Sequence, residues 1–299
     1  MSAPEGAAVP QTGYGEVYDR GYTHYEGERL GRRQAFRALV RYSASRSLGI
    51  RKRWTAKVVP FILYAIVGGT TLVVIGIEAF LARFSGETVI GYGEFFGFIF
   101  LVEGLFVATV APEMLCPDRR EHVLTLYFSK AITRLDYVLA KLAATALLTL
   151  TMSFVPAALL WLFRNLLADA PLTSMSQHLG DLARIALIGG LIALYLGSIG
   201  MAIASFTGRK AIAVVAIVVG YVVTEALVNS LAMALEENRL ADWITFLSPA
   251  VIISNLAQAL FAPPGASDLP FHWWAYATGM IATTVIATAV TLWRYLPER

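Results

Sequence analysis

Residues 182–235 read LARIALIGGLIALYLGSIGMAIASFTGRKAIAVVAIVVGYVVTEALVNSLAMAL. Two apolar blocks, 182–206 and 211–235, are separated only by Thr207, Gly208, Arg209 and Lys210. An apolar run needs about 20 residues to cross the hydrocarbon of a bilayer, and each block has that length. One helix through both, of roughly 54 residues, is too long for a single crossing. The four polar residues are therefore the turn of a tight hairpin. Lipid offers no partner for backbone polar groups, so blocks this long read as helices.

Blocks of similar length stand at 58–82, 95–115, 137–163 and 273–295, which makes six spans. The composition agrees: 57% of the 299 residues are hydrophobic and 15% charged, with a mean hydropathy of +0.62. A soluble domain carries about 25% charge. These values exclude disorder, a nucleic-acid-binding fold and an ordinary soluble enzyme as descriptions of the whole chain. The single cysteine, Cys116, allows no internal disulfide. The first 57 residues are polar and hold no apolar signal-peptide core, so the first block reads as an uncleaved anchor.

Orientation follows from the basic residues. Net charge is +3, but residues 1–57 hold 11 Lys and Arg against 5 Asp and Glu. With the N-terminus inside, inner segments carry 20 of the 24 Lys and Arg, and outer segments carry only Arg83, Arg164, Arg184 and Arg239. This bias predicts a multi-pass protein of the cell membrane with both termini cytoplasmic. A basic stretch beside a span is drawn to anionic lipid rather than to nucleic acid. Aromatic residues mark the interfaces: Trp273, Trp274 and Tyr276 outside, Trp293 and Tyr295 inside, with Trp161 and Trp54 at further helix ends.

The flanking segments differ in kind. Residues 1–28 read as a disordered cytoplasmic tail. Residues 29–57 read as an amphipathic interfacial helix, with Phe36, Leu39, Val40 and Ser43 on one face and Arg33, Arg37 and Arg41 beside them. A solvated basic linker is the competing reading. The transmembrane domain fills 58–299. Its longest outer segment, 236–272, holds an apolar run broken by Pro249, which predicts short re-entrant helices before helix six. A seventh span is the rival and would strand the C-terminus outside.

Between the second and third spans lies APEMLCPDRREHVLTLYFSKAITRLDYVLAK, residues 111–141. Asp118, Arg119, Arg120 and Glu121 are consecutive charges, and the apolar Val123, Leu124, Leu126, Tyr127 and Phe128 follow. A charged turn with a short apolar helix reads as a docking element, against the plainer reading of a membrane-lying loop. The stretch resembles the signature of the ABC-2 type permease family, the membrane subunits of ATP-driven exporters. Asp118-Arg119 stands where that family has Glu-Arg. Leu124, Leu126, Ser129, Ile132, Thr133, Arg134, Val138, Leu139 and Lys141 match. His122, Ala131 and Ala140 replace a glycine, a proline and a glycine. The six-span plan with an N-terminal interfacial helix is similar too. The resemblance implies an all-α ABC-2 exporter fold, pairing with a second permease that is identical or different, and two separate ATPase subunits that bind ATP and Mg. It also implies that the loop after helix two is the coupling helix.

The chain itself carries no G-x-x-x-x-G-K-[ST] phosphate loop, so ATPase activity is expected in a partner and no cofactor in this chain. His24, His122, His178 and His272 lie in different segments and suggest no metal site. No nucleophile–base pair is evident. Glu103 and Glu225 lie at similar depth in helices two and five, where a charge costs about 2.5–3.5 kcal/mol and should face protein or water. With Asn229, one turn from Glu225, they read as a polar patch in a translocation path; packing locks are the alternative. They also support a different function, a proton-coupled secondary transporter or channel. Glu78 reads as interfacial. Gly189, Gly190, Gly197, Ser198, Gly200 and Ala204 predict close helix packing along helix four.

Overall fold

The computed structural model describes residues 31–50, 52–81, 90–124, 127, 132–168, 170–235, 240–261 and 269–295. The expected disordered tail at 1–28 lies outside them, as do Leu126, Phe128 and Ser129 of the docking segment. Among the described residues every regular element is helical. In chain order these are α1 (Arg32–Ser47), α2 (Thr55–Leu81), α3 (Tyr92–Arg120), α4 (Arg134–Leu166), α5 (Pro171–Gln177), α6 (Leu179–Ser205), α7 (Lys210–Ala234), α8 (Leu240–Ile244), α9 (Pro249–Phe261) and α10 (Trp273–Tyr295). A 3-10 turn, Thr245–Leu247, joins α8 to α9.

Among the described residues six helices are long and apolar enough to cross a membrane: α2, α3, α4, α6, α7 and α10. Counting the bent pair α8 and α9 as one span would make seven. That pair turns by 106° at Ser248, where Pro249 starts a new helix. Pro has no N–H to give and fits the first helical turn.

α3 and α4 run further at both ends than hydropathy predicts. α3 begins at Tyr92 because the Glu94 side chain accepts the Gly91 N–H. α4 begins at Arg134 because Thr133 and Asp136 form a reciprocal capping box. α3 also continues to Arg120, so Asp118, Arg119 and Arg120 occupy its last turn rather than a loop.

α3 and α6 are buried along most of their length; α2, α7 and α10 are buried along much less of theirs. The central helices show why. On α6, Ile185, Ile188, Ile192 and Leu196 recur at helical spacing and are all fully buried. This face packs on α4, α10 and α3. α9 presents Ile252, Ile253, Leu256 and Ala257 to the same core, chiefly against α3. α7 instead exposes Ile212, Val215, Val219, Val222, Val223, Leu227 and Leu231. A soluble monomer rarely leaves so long an apolar face in water. Gly200 shows the close approach that the small residues of α6 predict: a Cβ there would lie 2.6 Å from Val107 and 3.1 Å from Ala111.

α1 has the two faces its periodicity predicts. Leu39 and Ser43 are buried, Phe36 and Val40 half-buried, and Arg33, Arg37 and Arg41 exposed. Its apolar face meets protein, mainly α4. The chain then turns into α2 at Gly49, whose φ of +70° lies in the left-handed region.

Candidate functional site

The charged residues at the C-terminal end of α3 assemble a junction between four segments. Asp118 is fully buried. Its Oδ2 lies 2.7 Å from Lys141 Nζ on α4 and accepts the Tyr137 hydroxyl at 3.0 Å. Its Oδ1 accepts Arg46 Nη1 of α1 at 2.8 Å. The Lys141 side chain is 1% exposed, so this pair is taken out of water on both sides. Removing one member of a buried pair leaves an uncompensated charge, which costs more than the pair contributes when intact.

One turn earlier, Glu113 gathers a second set. Lys52, between α1 and α2, and Lys210, at the start of α7, both donate to its carboxyl oxygens, the latter at 2.8 Å. Arg46 spans both sets, since its Nε is 3.9 Å from Glu113 and its Nη2 3.8 Å from Glu121. Burial works against the Arg46 charge, but Asp118, Tyr42, Glu121 and Glu113 outweigh it and raise its pKa above the ordinary arginine value. Arg119 donates to the Ser205 carbonyl and so ties α3 to the end of α6. Farther along α1, Arg32 clamps Asp136 with two bonds of 2.7 and 2.8 Å.

The residues read as a docking element separate into two groups. Asp118 and Arg119 face inward, as above. Arg120, Glu121 and His122 are exposed, while Val123, Leu124 and Tyr127 are half-buried. Leu124 and Tyr127 pack against the core. Burial pushes the Tyr127 hydroxyl up to about 12. His122 adopts φ +53° directly after α3. That is the left-handed conformation that commonly ends a helix and usually selects glycine. A pocket of about 530 Å³ lies between α1 and this connection, lined by Leu39, Tyr42, Val123, Tyr127 and Ile132 among others.

Within the spans, Glu103 and Glu225 stand in different settings. Glu103 is fully buried on α3 and neither carboxyl oxygen has a hydrogen-bond partner among the described residues. Glu225 of α7 is committed to α9: its oxygens lie 2.7 and 2.8 Å from Ser248 Oγ and one accepts the Ala250 N–H at 2.9 Å. Ser248 Oγ in turn accepts the Val251 N–H at 3.0 Å. Glu225 thus caps the first turn of the helix after the 106° bend. Asn229 is exposed.

The contacts of four residues are not legible in the sequence. Glu78, in the last turn of α2 where it reads as interfacial, is buried by protein, and Arg164 of α4 holds it bidentately at 2.9 and 2.6 Å while also bonding the Ile90 carbonyl. Trp161 is likewise buried and donates to the His178 carbonyl at 2.9 Å. Arg46 and Glu113 were not singled out either. The available signal was the rule that a charge within a span needs a partner. That rule marks Glu113 as paired but does not say with whom, and Asp118, outside the 95–115 span read from sequence, falls beyond it. In comparisons with known proteins, no family model and no curated sequence matches this chain.

Proposed function

We propose that this chain is the permease subunit of an ATP-driven exporter of the ABC-2 type, served by a separate ATPase and paired with a second permease. One observation carries the reading. The segment after the second span, which resembles the coupling helix of that family, rises from a buried charge junction that ties it to α1 and α4 through Asp118, Arg46 and Lys141. A push on the exposed Arg120–His122 corner would reach three helices at once, because the ion pairs beneath it leave little slack. The basic bias of the sequence puts this end of the bundle in the cytoplasm, where ATP is hydrolysed. The six spans and the amphipathic α1 fit the same plan, and α8 and α9 would re-enter the outer leaflet.

The test uses the exposed corner rather than the half-buried Leu124, whose replacement would perturb folding as well as docking. Glu121 is 56% exposed and 3.8 Å from Arg46, so Glu121→Lys reverses a charge at the rim of the junction while leaving Asp118 and Glu113 to hold Arg46. The tagged chain is purified from its host and the co-purifying subunits are identified. The expected result is an ATPase that accompanies the native chain and is reduced several-fold in Glu121→Lys at unchanged thermal midpoint. No accompanying ATPase, together with transport abolished by collapse of the proton gradient, would refute the proposal. That outcome would favour the second reading, a proton-coupled transporter or channel, which draws on the buried and unpartnered Glu103.

A further inference from the structure

A second pocket, of about 510 Å³, opens at the same end of the bundle between the α1–α2 link, the last turn of α3 and the α6–α7 turn. Its lining places Arg46, Lys52, Arg120, Arg209 and Lys210 against only Glu113 and Glu121. These positive charges are not all spent. Arg46 is committed to Asp118, and Lys52 and Lys210 each give one hydrogen to Glu113, which leaves each ammonium two further donors. Arg120 and Arg209 are exposed and have no ion-pair partner among the described residues. Glu113 therefore acts as a strut that turns two lysines toward a common point, beside two arginines with idle guanidinium groups.

The backbone adds to this. α7 begins at Lys210 after Arg209, which supplies no side-chain cap, so the first-turn N–H groups have no intrahelical acceptor and carry the positive end of the helix dipole. Arginine forks, ammonium groups and a helix N-terminus together form the chemistry that recognises a phosphate oxygen. Exposed apolar side chains flank the lining residues in the chain: Ile50 and Trp54, 52% and 78% exposed, on either side of Lys52, and Phe206 and Ile212, 56% and 51% exposed, on either side of residues 208–211. A soluble anion has no use for such neighbours, whereas acyl chains would lie along them.

We infer that this pocket binds the phosphate headgroup of an anionic phospholipid, with the acyl chains along the exposed faces of α2 and α7. Basic pockets between spanning helices commonly hold such headgroups. The inference does not depend on the transport reading. A lipid held here would bridge α1, α3 and α7 through the Glu113 lysines and so stiffen the junction beneath the docking corner.

The experiment uses the full chain in zwitterionic detergent, titrated with dioleoylphosphatidylglycerol, dioleoylphosphatidylcholine or inorganic phosphate. Thermal midpoint and lipid retained in native mass spectrometry are read together. Phosphatidylglycerol is expected to raise the midpoint and stay bound, while phosphatidylcholine and phosphate do neither. Arg120→Gln with Arg209→Gln should lose at least half of that shift without changing the lipid-free midpoint, and Arg120→Lys with Arg209→Lys should keep most of it. The control pair Arg33→Gln and Arg37→Gln, exposed on α1, should leave the shift intact. An equal loss in the control pair, or an equal shift with phosphatidylcholine, would mean diffuse attraction and overturn the site. Equal stabilisation by inorganic phosphate would assign it to a free anion and overturn the lipid. Unchanged lipid binding in the Gln pair with loss of a co-purifying protein would assign the arginines to that partner instead.

Discussion

At the scale of single residues, Asp118 shows how a side chain can look like surface and be core. The three residues that follow it, Arg119, Arg120 and Glu121, are all charged, yet its carboxylate is fully buried among Arg46, Tyr137 and Lys141. Asp118→Asn would strand the Lys141 ammonium and is expected to cost about 3–5 kcal/mol, whereas Lys141→Met leaves the aspartate its Arg46 and Tyr137 partners and is expected to cost less. The double variant removes both charges and should cost less than the sum, with a coupling of about 0.5–3 kcal/mol. Thermal or denaturant unfolding of the three variants in detergent gives the cycle. Strict additivity would mean that the pair contributes nothing as a pair. Sequence alone marked Asp118 as important through the resemblance but assigned it to a surface corner, because the partner that buries it on α1 is 72 residues away.

At the scale of elements, most of what periodicity and length can say proved legible. The faces of α1, the close packing of α6 and the break at Pro249 all follow from local spacing. What decided the geometry after the break was not local: Glu225, on α7, supplies the cap of α9. A carboxylate at a helix N-terminus satisfies first-turn N–H groups and complements the dipole, together worth about 1 kcal/mol. Glu225→Gln should therefore loosen the start of α9. Hydrogen exchange at residues 250–252 is expected to accelerate about fivefold, the equivalent of 1 kcal/mol, at little change elsewhere. If those amides keep their protection while transport changes, Glu225 serves the translocation path and not the cap. Glu78 and Arg164 do a similar thing near the C-terminal end of α2, joining it to α4 by a partly buried bidentate pair.

At the scale of the whole molecule, the arrangement is a bundle with α3 and α6 at its centre and apolar faces of α2 and α7 turned outward. Charge concentrates where α1 meets the ends of α3, α4 and α7, and the proposed orientation makes that end cytoplasmic. Single cysteines test it. Gln34 on α1 and Ser176 on α5 are both exposed, whereas the native Cys116 is buried and gives little background. An impermeant thiol reagent added to intact cells should label Ser176→Cys and spare Gln34→Cys until the membrane is opened. Labelling of Gln34→Cys from outside would reverse the topology and remove the docking corner from the reach of any cytoplasmic ATPase.

The sequence by itself determined the number of long apolar helices, the hairpin at 207–210, the two faces of α1 and the bias of positive charge. All of these depend on length and on spacing within one segment, which the chain carries locally. Only the tertiary structure decided the partners of the charged residues: Arg46 for Asp118, Arg164 for Glu78 and Ser248 for Glu225, across 72, 86 and 23 residues respectively. A charge in an apolar setting must be paired, and this necessity is legible from sequence. Which opposite charge comes within 3 Å depends on how helices cross and how their ends are capped, and that is a property of the packed bundle alone.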